Sequence, residues 1–167
     1  MKKLFFLVVV FSLLAGCNKT DEFMPDEDLQ LKKAQSQMAY VPFKGDLKIW
    51  IESFEEVGPD RIQVMVGAGN LTHLGKTTFF ANENVSMATW TGVEEVTFTA
   101  ANGDKLFAFF TNVINTVGFP LLLIEGEGYF TGGTGRFKNA EGTLHYHATF
   151  HVDDNKGEKF FTGEIKW

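Results

Sequence analysis

The stretch GEGYFTGGTGRFKNAEGTLHYHATF, from Gly126 to Phe150, decides the fold. A P-loop or a Rossmann fingerprint would need a fixed glycine spacing followed by a helix, and this stretch has neither. Gly132, Gly133 and Gly135 instead predict a loop that crosses between two strands, where glycine supplies positive φ angles and close backbone approach. Arg136 is either a surface residue of this loop or a pin that bonds its carbonyl groups.

The segment after that loop has one apolar face, because Leu144, Tyr146 and Phe150 alternate with polar residues. Alternation with a period of two is typical of a half-buried strand. It recurs from Phe43 onward without a sustained helical periodicity, and it predicts strands at residues 43–52, 61–66, 77–80, 93–100, 105–113, 120–130, 143–152 and 158–167. Short connections predict antiparallel pairing, so we expect an all-β, eight-stranded antiparallel β-barrel.

Two further features bear on the inside of this barrel and on its turns. Asn102-Gly103 predicts a tight hairpin turn with two positive φ angles between the fourth and fifth strands. The chain has 18 phenylalanines, too many for surface use, so most of them must face inward or pack under loops. The interior of an eight-stranded barrel is either filled by side chains or holds one small ligand, and the composition is compatible with both.

Four motifs carry a family resemblance. They are Thr72-His73-Leu74-Gly75, the segment FTAANGD at 98–104, the glycine-rich segment 126–142, and Phe161-Thr162-Gly163-Glu164-Ile165. In this order they resemble bacterial calycin-like proteins related to the allene oxide cyclase and dirigent barrels, over roughly residues 43–167. The resemblance implies an eight-stranded barrel with a hydrophobic interior, but it does not imply one activity.

The N-terminus predicts a lipoprotein. A short basic region and the apolar run LFFLVVVFSLL are typical of a signal peptide, here residues 1–16. The run ends in Leu14-Ala15-Gly16-Cys17, which resembles the bacterial lipobox, so we expect Cys17 to carry acyl chains such as palmitate and to begin the mature protein. Residues 17–42 predict a flexible polar tether, and residues 43–167 the barrel domain.

Charge and the residues after the lipobox indicate partners and location. The net charge is −6, and it becomes −8 without Lys2 and Lys3, which argues against nucleic acid or an anionic lipid surface as a partner. Asn18 in place of aspartate favours the bacterial outer membrane, and Asp21-Glu22 resembles an acidic signal for export to the cell surface. The expected partners are the membrane, through the anchor, and a small hydrophobic ligand.

The strand at 143–152 carries a candidate metal site. His145, His147 and His151 share one face, and three imidazoles at this spacing could hold zinc or another divalent metal. The opposite face is the apolar one. If that face lines the barrel, the histidines point to solvent as a surface cluster, so we expect no metal or other cofactor.

Other candidate residues are weighed against structural roles. His73 could act as a general base or orient a ligand, or it could bond a backbone carbonyl and close one barrel end. Glu127 follows an apolar run and could lie near a pocket mouth, or at a solvated strand end. The aromatic candidates for ligand stacking, which core packing explains equally well, are Trp50, Trp90, Tyr129 and Tyr146.

Three functions follow from the sequence, in order of preference. The first is a non-catalytic envelope lipoprotein whose barrel binds a small hydrophobic molecule or serves as an envelope component. The second is a cyclase or isomerase that acts on a hydrophobic substrate inside the barrel. The third is a metal-binding module on the histidine strand. The sequence shows no convergent catalytic set, so it favours a protein that is not an enzyme.

Overall fold

The computed structural model describes residues 39–167, which form a closed antiparallel β-barrel. Its strands are β1 (Val41–Val57), β2 (Asp60–Leu71), β3 (Gly75–Ser86), β4 (Thr91–Thr99), β5 (Lys105–Asn115), β6 (Leu121–Gly133), β7 (Glu141–His151) and β8 (Lys156–Lys166). Each strand pairs with its neighbours in chain order, and β8 pairs with β1 to close the barrel. The predicted eight-stranded antiparallel barrel is confirmed.

The barrel begins at Val41, two residues before the predicted start. The signal peptide, Cys17 and the tether up to residue 38 lie outside the described residues. Within residues 39–167, the single helical element is one turn of 3₁₀ helix, Gly135–Phe137, between β6 and β7. No helix in this range is long and apolar enough to cross a lipid bilayer.

The inward faces of the strands follow the predicted alternation in β1 and β7. Leu47 and Ile49 of β1 are buried, as are Leu144 and Tyr146 of β7. The reverse holds in β2. There the alternation of Ile62, Val64 and Val66 with residues 61, 63 and 65 predicts that the three apolar residues face inward, but they point outward, and Ile62 is 46% exposed. The face that lines the barrel carries Gln63, Met65, Gly67 and Leu71 instead.

Aromatic rings fill the half of the barrel in which β1 begins. Phe98 lies at their centre, with ring centroids of Phe43, Phe79 and Phe161 at 6.3, 5.8 and 5.3 Å. All four rings are buried, and tilted or edge-to-face pairs at these separations are favourable beyond their buried area. This half of the barrel is therefore filled rather than hollow.

The same end of the barrel is closed by the connections β2–β3 and β6–β7. Leu74 and Phe137 are buried there, and the Trp167 ring packs 5.6 Å from the Phe137 ring. Gly132 and Gly135 have positive φ angles of 111° and 54°, whereas Gly133 does not. A side chain on Gly133 would collide with Phe137, so its role is close approach rather than an unusual backbone angle.

The connection between β4 and β5 also lies at the closed end. The tight turn with two positive φ angles that was predicted here is wrong. The strand pairing stops at Thr99 and Lys105, which leaves a five-residue connection. Gly103 has a φ of 89°, but Asn102 does not have a positive φ. The Asn102 side chain instead bonds both the backbone N–H and the side chain of Asp104, so it stabilises a wider turn.

At the opposite, open end, β1 extends beyond its partner. Pairing between β1 and β8 ends at Ile49 and Gly157, while pairing between β1 and β2 continues to Val57 and Asp60. A register shift between Ile51 and Ser53 marks the start of this extension. The connections β1–β2, β3–β4, β5–β6 and β7–β8 surround this end of the barrel.

Candidate ligand-binding cavity

A cavity of about 720 Å³ occupies the open half of the barrel. Its walls are mainly apolar side chains from five of the strands and their connections, among them Met65, Val85, Trp90, Ile124 and Phe150. Pockets that bind small molecules typically measure about 300–1,000 Å³ and have apolar walls with a few placed polar groups. The size and the walls of this cavity thus fit a small hydrophobic molecule.

Beneath the cavity lies a group of buried polar side chains, here called the polar cluster. Its members come from six strands and are all at most 7% exposed: Gln63, Glu83, Glu94, Asn112, Tyr146 and Lys159. Gln63 belongs to both features, because it also lines the cavity. The polar cluster thus forms the floor of the cavity. Buried polar groups are costly unless they are hydrogen-bonded, so the contacts within the cluster determine its chemical role.

One half of the polar cluster is a fully buried ion pair. Lys159 Nζ donates to both carboxylate oxygens of Glu94, at 2.5 and 2.7 Å. The ammonium group also lies 4.0 Å from the centroid of the Tyr146 ring and 5.1 Å from that of Phe79. Ring faces and carboxylate together replace the water that the ammonium loses on burial.

The other half is a hydrogen-bonded chain around Glu83. Gln63 Nε2 donates to Glu83 Oε2 at 2.6 Å, and Asn112 Nδ2 donates to Glu83 Oε1 at 2.7 Å. Asn112 Nδ2 also lies 3.0 Å from the Tyr146 hydroxyl, which accepts from it. Asn112 Oδ1 is buried without a partner among the described residues. Glu83 stands directly opposite Glu94 in the β3–β4 pairing, so the two halves adjoin.

Burial changes the proton affinities of this cluster. It raises the pKa of Glu94 above its ordinary value, with Glu83 adding to the rise and Lys159 opposing it. Burial also raises the pKa of the Tyr146 phenol well above its ordinary range, and the Glu94 and Glu83 carboxylates raise it further. Tyr146 is therefore a neutral hydroxyl at physiological pH.

Two glycines make room for the polar cluster. A side chain on Gly126 of β6 would overlap the ring of Tyr146, its partner in the β6–β7 pairing. A Cβ on Gly92 of β4 would lie 2.6 Å from Asn112 Oδ1 and 3.1 Å from Glu83 Oε1. Both glycines are thus explained by close approach of a neighbouring side chain, not by backbone conformation.

The candidate metal-ligating histidines lie on the outer face of β7. His147 stacks on Phe160, with ring centroids 4.9 Å apart, and His145 Nε2 lies 3.8 Å from Glu127 Oε1. Both partners of that last contact are well exposed. His151 borders a second, more open groove beside Trp50. Within residues 39–167, no three His, Cys, Asp or Glu side chains are arranged to hold a metal ion.

The candidate aromatic residues divide between the two sides of the barrel wall. Tyr146 points inward into the polar cluster, and Trp90 lines the cavity. Trp90 has a φ of 53°, which a bulky residue seldom adopts and which marks positions worth examining for function. Trp50 and Tyr129 are 43% and 52% exposed on the outer face, away from the cavity.

The two candidate catalytic residues lie away from the cavity. His73 Nε2 donates to the Pro42 carbonyl at 3.0 Å, and its ring packs 4.8 Å from the Trp167 ring at the closed end. Arg136 donates to the His73 carbonyl oxygen, so it joins the glycine-rich loop to the β2–β3 turn. Glu127 is on the outer face of β6 beside His145. The structure does not bring His73 and Glu127 together.

Sequence reasoning missed five of the six residues in the polar cluster. A signal existed for Glu94, since it precedes Val96 and Phe98 by two and four residues and so shares their inward face. Glu83 follows Ala81 and Phe79 by two and four residues, so it also shares an inward face, but β3 extends well beyond its predicted end. Comparisons with protein-family models, curated proteins and solved structures found no match to this chain.

Proposed function

We propose that this protein is an envelope lipoprotein whose barrel binds a small hydrophobic molecule in the cavity at its open end. One observation carries the proposal: an apolar cavity of about 720 Å³ ends on a buried polar floor. Apolar walls would hold the body of the ligand by excluding water, and the floor would fix its orientation. Acylation of Cys17 and attachment to the outer membrane are part of this proposal.

Binding, rather than catalysis, is what the geometry supports best. The acid–base groups Glu83, Glu94, Tyr146 and Lys159 bond one another or their neighbours in the floor. Gln63 separates them from the cavity, because it is the one member of the polar cluster that lines it. A catalytic group must reach the reacting atoms within hydrogen-bond distance, directly or through one water.

Titration with Nile red, an uncharged dye whose emission rises in apolar surroundings, tests the proposal. A Cys17→Ser background prevents acylation, so that no acyl chain competes for the cavity. We expect saturable binding that Ile124→Trp abolishes, because the indole would fill part of the cavity. Leu123→Trp is the matched control, since residue 123 points outward on the same strand.

Circular dichroism and a urea titration would show that both variants are folded. Val85→Phe blocks the cavity from another strand, so it replaces Ile124→Trp if that protein does not fold. Equal binding by the blocked and control variants would show that the dye binds elsewhere and would refute the proposal.

A further inference from the structure

The amide of Gln63 presents a defined group to the cavity floor. Its nitrogen, Nε2, is held by Glu83 Oε2 at 2.6 Å. Because Gln63 lines the cavity, its side-chain carbonyl oxygen is then the acceptor available to a ligand. Gln63 itself is only 7% exposed, so little water competes for that oxygen when the cavity is occupied.

Glu83 fixes this orientation of the amide. Both side-chain oxygens of Glu83 serve as acceptors, because they receive N–H groups from Gln63 and Asn112. Rotating the Gln63 amide by half a turn would set its carbonyl oxygen against a carboxylate oxygen and leave both without a donor. Such a mismatch leaves two desolvated groups without hydrogen bonds, which keeps the amide in one orientation.

The charges behind Gln63 favour the same kind of ligand group. Glu83 and Glu94 are neighbours across the β3–β4 pairing, and Lys159 neutralises one of them. Two buried carboxyl groups thus face a single buried ammonium group in the low-dielectric interior below the cavity, where electrostatic interactions are strong. A further carboxylate brought in by a ligand would be repelled, whereas a hydroxyl or ammonium group would be attracted.

Arg61 is the group that could reverse this preference, because it lines the cavity. It is already engaged, since its guanidinium bonds Glu56 at 3.0 Å and lies 4.5 Å above the ring of Phe54. Its Nε is buried without a partner among the described residues, so it could serve an acceptor near the mouth. The floor therefore favours a hydrogen-bond donor on the ligand, and the mouth favours an acceptor. The end of the ligand that enters first meets the floor, so the floor selects the group at that end.

We propose that the cavity selects amphiphiles whose leading end is a hydrogen-bond donor, an alcohol or a primary amine, over those that end in a carboxylate. Gln63 is the residue that sets this selectivity. This inference rests on the proposed function, because it concerns the ligand of the same cavity.

The test compares three probes with one apolar chain: 1-decanol, decylamine and decanoic acid, each displacing Nile red from the Cys17→Ser protein at pH 7. We expect the alcohol and the amine to bind at least about tenfold more tightly than the acid, which corresponds to about 1.4 kcal/mol. Gln63→Met keeps the side-chain length and removes the acceptor, so it should reduce this ratio severalfold while Nile red still binds. Ile62→Met, on the outer face of β2, is the matched control.

Each outcome decides between the two proposals. Equal affinities for the three probes, tighter binding of the acid, or failure of all three to displace bound Nile red would overturn the selectivity and leave the binding function standing. An unchanged ratio in a folded Gln63→Met protein would overturn the role of Gln63. Absence of binding for Nile red and for every probe would overturn the proposed function itself. If Gln63→Met does not fold, Gln63→Glu gives the test, because its added charge should weaken the acid further and strengthen the amine.

Discussion

Replacing Lys159 by methionine would remove the positive charge from the buried ion pair while retaining most of the side-chain volume. Lys159 and Glu94 are 1% and 0% exposed, so water cannot take the place of the lost partner. Removal of one partner from a buried pair typically costs about 3–5 kcal/mol, because a buried charge is left uncompensated. The total stability of a domain is about 5–15 kcal/mol, so the effect should be large.

The structure allows this magnitude to be bounded independently. The least unfavourable response of the unpaired Glu94 is to take up a proton. At pH 7, protonating a carboxyl whose ordinary pKa is 4.5 costs about 3 kcal/mol, at about 1.4 kcal/mol per pH unit. At pH 5 the same cost falls below about 1 kcal/mol. Burial raises the folded-state pKa of Glu94, so the folded protein binds the proton more tightly than the unfolded chain does. The stability that this proton binding contributes is fully present below pH 4.5 and is lost as the pH rises through the folded-state pKa.

Urea unfolding followed by tryptophan fluorescence at pH 7 and pH 5 measures both effects. We expect Lys159→Met to cost about 3–5 kcal/mol at pH 7 and about 2 kcal/mol less at pH 5, since Lys159 no longer lowers the pKa of Glu94. The double variant Glu94→Leu with Lys159→Met should recover most of the loss, because an apolar pair needs no compensation. A cost below about 1 kcal/mol, the same cost at both pH values, or a double variant as unstable as the single one would refute this reasoning.

Three further predictions concern other parts of the barrel. Gly126→Ala should destabilise the protein by about 1–3 kcal/mol in urea, since the added methyl would overlap Tyr146; a neutral result would mean that the ring moves freely. Above pH 10 the wild type should lose stability relative to Tyr146→Phe, because the raised pKa keeps the folded phenol neutral while the unfolded phenol ionises; parallel pH profiles would contradict this. Arg136→Ala should speed amide hydrogen exchange in the His73 turn and leave Nile red binding unchanged; slower dye binding would place that end of the barrel in the ligand path.

The sequence was sufficient to predict the barrel because most strands obey a simple rule. In β7 and in the first part of β1, up to Ile49, buried apolar residues alternate with exposed polar ones, so the inward face can be read directly. In β2 the rule gave the wrong face. The interior there contains Gln63, and the outer face contains Ile62 at 46% exposure. Hydrophobicity alone therefore predicts the wrong face of β2 to lie inside the barrel.

The cavity and its floor were harder to predict. Glu94 precedes inward-facing residues at the right spacing, but a carboxylate on that face makes sense only once Lys159 is known to reach it from β8. The two are 65 positions apart in the chain, and strand alternation does not say which residues meet across a barrel. Likewise, the hollow half exists because the aromatic rings gather in the other half, which depends on the three-dimensional register of eight strands.

The extension of β1 past Ile49 has a consequence for how molecules of this protein meet one another. Beyond that residue, no strand within residues 39–167 pairs with the β8 side of β1, so a row of backbone donors and acceptors lies at a free edge. Such an edge can template strand addition from a second chain and so begin aggregation. Three features hinder such pairing at this edge: a bulge at Ile51, a hydrogen bond from Asn155 to the Ile51 carbonyl, and the charges of Glu52, Glu55 and Glu56. These carboxylates oppose the addition of a second chain at this edge, a role separate from any ligand that the barrel binds.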